Sequence, residues 1–136
     1  MKRPRWIDAR ALLLLHAESL SAHGGLVGVR DEPAFESAMA RPRQFFSYEP
    51  EGEPKPDVAR LAATYGFGLI RNHPFTDGNK RAGFLAILLF LDLNGYELEV
   101  HQADAIRSIF EVAAGKMTEP ELTAWIRNHA HKCRTK

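Results

Sequence analysis

Eight consecutive apolar residues, Phe84-Leu85-Ala86-Ile87-Leu88-Leu89-Phe90-Leu91, restrict this chain more than any other segment. They sit inside a helix predicted from about Asn79 to Leu93, which Asn94-Gly95 stops. The run is far short of the ~20 residues needed to cross a bilayer. A helix apolar nearly all round has no face to give to water and must be packed on all sides. The rest of a 136-residue chain has to supply that packing. Residues 1–136 are long enough for one domain with a single core and show no linker or repeat.

The punctuation elsewhere is helical. Asp8 can cap a helix to about Ala22, ended by His23-Gly24-Gly25. Asp31 starts a second, with Pro33 in its first turn and Pro42 closing it near Arg41. Residues 43–56 carry Pro50, Gly52, Pro54 and Pro56 and read as an extended loop or flap. Asp57 caps a third helix through Arg71, with Val58, Leu61, Ala62, Tyr65 and Leu69 at helical spacing, and His73-Pro74 ends it. Beyond the apolar helix, Tyr96 to Val100 alternates as a short edge strand. A fifth helix spans about Gln102 to Ala114, and the capping box Thr118-Glu119-Pro120-Glu121 opens a sixth through about His131. The expected fold class is all-α: a compact bundle of about six helices around a buried central one.

Charge and cysteine content narrow the function. Eighteen Lys and Arg against 17 Asp and Glu leave a net charge of +1, which gives no general case for nucleic-acid or membrane binding. The basic stretch His129 to Lys136 reads as a solvated helix end, and His129, His131 and Cys133 lack a partner cluster for a metal. The lone Cys133 excludes an internal disulfide and suits a reducing compartment. The basic Met1-Lys2-Arg3-Pro4-Arg5 is followed by a short apolar run broken by His16 and Glu18, not a signal peptide. A soluble, cytoplasmic protein is expected.

Chemistry concentrates where a loop enters the apolar helix, at His73-Pro74-Phe75-Thr76-Asp77-Gly78-Asn79-Lys80-Arg81. A helix N-terminus offers free N–H groups and a positive dipole end, which together form an anion site. His73 can take a proton from a hydroxyl near neutral pH, and equally fits a helix-end histidine contacting last-turn carbonyls. Asp77 fits either an N-cap or a magnesium ligand. Gly78 permits a tight turn and close ligand approach, and Asn79 can donate to a phosphate. Lys80 and Arg81 oppose the dipole at a cost of about 0.3–1 kcal/mol each. A purely structural role does not explain that cost, whereas an anionic ligand does. Phe75 reads as the core anchor of the loop.

These residues resemble the signature of the Fic/Doc superfamily and, within it, the death-on-curing (Doc) toxin branch. That branch carries His-x-Phe-x-Asp/Asn-Ala/Gly-Asn-Lys-Arg, matched here by His73, Phe75, Asp77, Gly78, Asn79, Lys80 and Arg81. A second block, His23 to Asp31 followed by Glu36 to Pro42, is similar to the N-terminal part of Doc-like proteins. The resemblance spans roughly residues 8 to 130. The general Fic pattern, His-Pro-Phe-x-x-Gly-Asn-Gly-Arg-x-x-Arg, goes mostly with AMP transfer to a protein hydroxyl. Here Lys80 replaces its second glycine and Phe84 its second arginine. In Doc-like members the lysine form goes with an inverted ATP that presents its γ-phosphate, and the enzyme is a protein kinase.

The resemblance therefore implies a toxin that phosphorylates a threonine of elongation factor Tu and halts translation. It implies His73 as general base, Asp77 holding Mg²⁺, and Gly78, Asn79, Lys80 and Arg81 around the phosphates of ATP. Arg71 is a further candidate for phosphate or target contact, and also a cation suited to a helix C-terminus. Many Fic proteins carry an inhibitory Ser/Thr-x-x-x-Glu-Gly/Asn helix. Ser47-Tyr48-Glu49-Pro50-Glu51-Gly52 matches its letters, but Pro50 would damage a helix by about 3 kcal/mol. Control is then expected from a separate antitoxin resembling the prevent-host-death protein, whose tail folds on docking.

Overall fold

A computed structural model describes residues 3–48 and 54–133. Six helices run in order: α1 (Ala9–His23), α2 (Glu32–Ser47), α3 (Val58–Asn72), α4 (Asn79–Leu93), α5 (Gln102–Ala113) and α6 (Glu119–His129). Two three-residue strands, β1 (Tyr96–Leu98) and β2 (Ala130–Lys132), pair antiparallel with Tyr96 opposite Lys132 and Leu98 opposite Ala130. The fold is all-α with this one small ribbon.

Local chemistry starts most of the helices. The carboxylates of Asp8, Asp31 and Asp57 accept the N–H groups of Arg10, Ala34 and Arg60 in the first turns of α1, α2 and α3. Thr118 and Glu121 close a reciprocal capping box on α6.

The apolar helix α4 buries Ala82, Gly83, Ala86, Ile87, Phe90 and Leu91 but leaves Phe84, Leu85, Leu88 and Leu89 half-buried, so the expected packing on all sides is not met. Its neighbour α3 is enclosed further still, with 11 of its 15 residues buried. Small residues make this possible. A Cβ placed on Gly66 of α3 would stand 2.5 Å from Ile87 Cδ1, and one on Gly83 of α4 would stand 3.0 Å from the Gly66 carbonyl oxygen. The backbones therefore touch across a glycine pair, which brings the C-terminal end of α3 and the N-terminal end of α4 together around one short loop.

Glu119, 8% exposed at the start of α6, ties three helices. It accepts hydrogen bonds from Arg41 of α2 at 2.9 Å, from Thr64 of α3 at 2.9 Å and from Arg60 of α3. Burial alone would raise its pKa, but the bonds from Arg41, Arg60 and Thr64 outweigh it and hold the carboxyl below the ordinary glutamate value.

Three further expectations are corrected. Pro42 does not close α2, which continues to Ser47. Its ring is buried, and the turn beyond it is anchored by Phe46 against Trp6 (ring centroids 5.8 Å apart) and by Phe45 under the Arg60 guanidinium. These contacts offset the lost hydrogen bond. The proposed flap accordingly shrinks: residues 43–47 are helical, and Glu49 to Glu53, with most of the inhibitory-helix match, lie outside the described residues. Finally, α6 stops at His129, because Ala130–Lys132 leaves the helix to pair with β1.

Candidate active site

The α3–α4 loop divides its residues by depth. Pro74 and Phe75 are buried, whereas His73, Thr76, Asp77, Lys80 and Arg81 are exposed. Phe75 is 1% exposed and lies between the rings of His16 (centroids 4.0 Å apart) and Phe35 (5.5 Å). One aromatic side chain thus pins the loop to α1 and α2 while its neighbours face solvent.

The glycine-rich segment after α1 runs alongside. Val29 bridges Phe75 in antiparallel fashion, Thr76 N–H donates to the Gly28 carbonyl at 3.0 Å, and the N–H groups of Arg30 and Asp31 donate to the Pro74 carbonyl. The Arg30 guanidinium donates to the His73 carbonyl. Asp77 is not the N-cap of α4; its Oδ2 accepts the Leu26 N–H at 3.0 Å. The two sequence blocks singled out above are therefore one physical unit.

His73 is the C-cap of α3 with φ 48° and ψ 53°, the one non-glycine residue with positive φ among those described. The residue before a proline avoids the right-handed helical region, and here it enters the left-handed one instead of the extended one. That conformation costs about 1–2 kcal/mol for a residue with a Cβ. Hydrogen bonds from Arg30 and Asp31 to the His73 and Pro74 carbonyls that follow hold it there.

Gly78 is the N-cap of α4 with φ 72° and ψ 32°, and no side chain caps this end. The first backbone bond of the helix runs from Ala82 N–H to the Gly78 carbonyl at 2.8 Å, so the N–H groups of residues 79–81 have no acceptor within the helix. Lys80 lies over the Phe110 ring (5.1 Å to its centroid), and Arg81 approaches His23 at 3.4 Å. Among the described residues neither cation pairs with a carboxylate. Helices α1, α2, α3 and α6 have a side-chain cap; α4 and α5 have none, and of these two α5 carries Asp104 in its first turn whereas α4 carries two cations. The arrangement suits a polyanion.

Asn79 behaves differently from the expectation placed on it. Its Oδ1 accepts the Phe75 N–H at 2.9 Å and its Nδ2 donates to the Phe75 carbonyl at 3.1 Å, closing a ring across the loop. It shapes the cradle, with one amide hydrogen left over for a ligand. Arg71 directs its guanidinium to the Val112 and Ala113 carbonyls at the end of α5, the helix-terminus role open to it from the start, although on a neighbouring helix.

Sequence reasoning missed the roles of His16 and Arg30. His16 is 2% exposed in the middle of α1, and its Nε2 has no hydrogen-bond partner among the described residues. Burial holds its pKa below the ordinary histidine value; the Asp77 and Gly78 backbone opposes this and the Arg81 cation adds to it. Nothing in a linear reading marks such a residue beyond its interruption of an apolar run.

A model of the Fic/DOC family matches residues 6–91, from just before α1 almost to the end of α4. The chain belongs to the Fic/DOC family. "Protein kinase doc" of Escherichia phage P1 is 34% identical over 94 residues, 69% of this chain and 71% of that protein. "Toxin Doc" of Mycolicibacterium smegmatis (strain ATCC 700084 / mc(2)155) is 39% identical over 77 residues, 57% of each chain. Both relatives place this Fic/DOC member in the Doc branch. The matched span contains both blocks of the site and the glycine pair that sets α3 against α4. Among its described residues no helix is long and apolar enough to cross a membrane.

Proposed function

We propose that this chain is the toxin of a toxin–antitoxin module, a cytoplasmic protein kinase that moves the γ-phosphate of ATP onto a threonine of elongation factor Tu. The observation that carries the reading is the open N-terminus of α4, left uncapped by Gly78, with Lys80 and Arg81 paired to no carboxylate among the described residues and the exposed His73 in the same loop. The names of the two relatives, a kinase and a toxin, support it. So does Lys80, which fills space that a glycine would leave open to phosphates.

In this mechanism the free N–H groups of residues 79–81, with Lys80 and Arg81, bind and neutralise the phosphates, and Asn79 fixes the loop and offers its remaining amide hydrogen. Asp77 is exposed and has one carboxylate oxygen on Leu26, which leaves the other for a cation. Magnesium sites commonly use one or two carboxylates together with substrate phosphates, so Asp77 fits Mg²⁺, which when bound would offset charge on the phosphate oxygens. His73 takes the proton of the threonine hydroxyl as its oxygen bonds to the γ-phosphorus. The bond from that phosphorus to the β–γ bridging oxygen breaks, and ADP leaves. Phosphoryl transfer depends on positioning and charge stabilisation, and these side chains supply both. Arg71 has a supporting part, joining α3 to the end of α5. An antitoxin resembling the prevent-host-death protein is the regulator.

The test is incubation with elongation factor Tu and ATP labelled separately at the α and γ positions. The kinase reading expects label from γ alone, and its loss in a folded His73→Ala variant. Label from α alone would replace it with AMP transfer, the reading that Pro74 and Gly78 share with the general Fic pattern. Toxicity that survives His73→Ala would point to a non-catalytic binding role.

A further inference from the structure

The buried face of α1 is Leu12, His16 and Leu20, a stripe at every fourth residue in which the middle position is an imidazole. A leucine there would continue the stripe without burying a polar nitrogen that lacks a partner. The histidine lies directly beneath the motif loop. Its ring packs on Phe75 with centroids 4.0 Å apart and planes inclined by 36°. Its Nε2 faces Gly78 so closely that a Cβ on that glycine would stand 2.9 Å away. The same side chain therefore meets the anchor of the loop and the residue whose left-handed turn keeps α4 uncapped.

We propose that His16 is a positioning residue for the phosphate cradle. It supports Phe75 from below and keeps a polar atom in reach of the Asp77–Gly78 backbone, which bonds to it as an anion draws the loop tight. The idea rests on the phosphate-binding reading above. Its distinguishing feature is polarity: a residue needed only for packing would be replaced by leucine without loss.

The amides of Leu26, Phe75 and Thr76 report on the loop, because each donates to a group across it. Those of Leu61 and Leu122, bonded to Asp57 and Thr118, report on the core. With magnesium and a non-hydrolysable ATP analogue at saturation, hydrogen exchange at the three loop amides of His16→Leu is expected to run about tenfold or more faster than in the parent, the effect of one lost buried hydrogen bond. Exchange at Leu61 and Leu122 should stay within about twofold. Titration with magnesium and a non-hydrolysable ATP analogue should show a comparable loss of affinity. His16→Gln, whose amide nitrogen reaches about as far as Nε2, should recover most of both effects, and the shorter His16→Asn should not. The Gln and Asn pair decides the matter even if the leucine variant does not fold. Unchanged loop exchange in His16→Leu, equal acceleration of loop and core, or equal behaviour of the Gln and Asn variants would each overturn the proposal. A wild-type chain that binds no nucleotide would sink the proposed function and this proposal with it, whereas nucleotide bound equally well by the wild type and by a folded His16→Leu would overturn this proposal alone.

Discussion

Replacing Gly83 by alanine should damage this protein, although alanine is the better helix former. The added Cβ would lie 2.9 Å from Ile70 Cδ1, closer still to Ile70 Cγ1, and 3.0 Å from the Gly66 carbonyl oxygen. Carbon atoms pack best at about 3.5–4.0 Å, so α3 and α4 would have to separate by several tenths of an ångström. Overpacking of this kind costs typically about 1–3 kcal/mol, and a backbone oxygen among the obstacles favours the upper end. The gain in helix propensity returns about 0.8–1 kcal/mol. The expected net loss is about 2 kcal/mol. For a domain of this length that corresponds to a melting temperature lower by roughly 6–8 °C. Gly68, also within α3, is the control. A Cβ there meets Ala38 Cβ at 3.5 Å, an ordinary contact, so Gly68→Ala should leave stability unchanged or raise it by up to about 1 kcal/mol. Thermal unfolding followed by circular dichroism measures both. A Gly83→Ala protein as stable as the parent, or a Gly68→Ala protein equally damaged, would refute the idea that the glycine pair sets the distance between α3 and α4.

Two further outcomes follow from named contacts. Glu119→Ala strands the Arg60 guanidinium, leaves Thr64 only the Arg60 carbonyl and releases the half-exposed Arg41, and should cost about 3 kcal/mol in urea unfolding. Because the folded carboxyl titrates below its unfolded value, its stabilisation is full above the unfolded pKa of about 4.3 and is lost as pH falls through the folded pKa. The alanine variant should therefore lose less stability than the parent on acidification below that point; parallel pH profiles would contradict this. Asp77→Asn retains an oxygen for the Leu26 N–H and removes the charge. Unfolding should shift by no more than about 1 kcal/mol, while calorimetry should show that magnesium no longer strengthens ATP binding. An unchanged magnesium dependence would remove Asp77 from the metal site.

What could be read from the chain was what depends on neighbours in sequence. The caps at Asp8, Asp31, Asp57 and Thr118 act over two or three residues and are legible, as is α4 as a helix, but its composition does not reveal that α3 is the more enclosed of the two. The failures lie where distant contacts decide. Pro42 marks an ending by every local rule, yet aromatic partners on other segments carry α2 past it. Ala130-His131-Lys132 has no strand pattern and is extended only because β1 lies beside it. At the site, the residue types of an anion cradle were visible, but not which of them the fold uses for itself. Asn79 turns its amide to Phe75, Asp77 holds Leu26, and Arg71 holds the end of α5. The histidine under the loop left no periodic signal, because one polar residue on a buried face looks the same as an interruption.

The hydrogen bonds that join residues 24–31 to the stretch from His73 to Asp77 bear on how portable the motif is. Its carbonyls at 73 and 74, its Thr76 amide and its Asp77 carboxylate are all engaged by a strip of chain more than forty positions earlier. Grafting the nine-residue signature onto another helix start would transfer the letters and leave behind the scaffold that bends them. By the same logic, any binder that peels α1 from its seat would slacken the signature without touching a single one of its side chains.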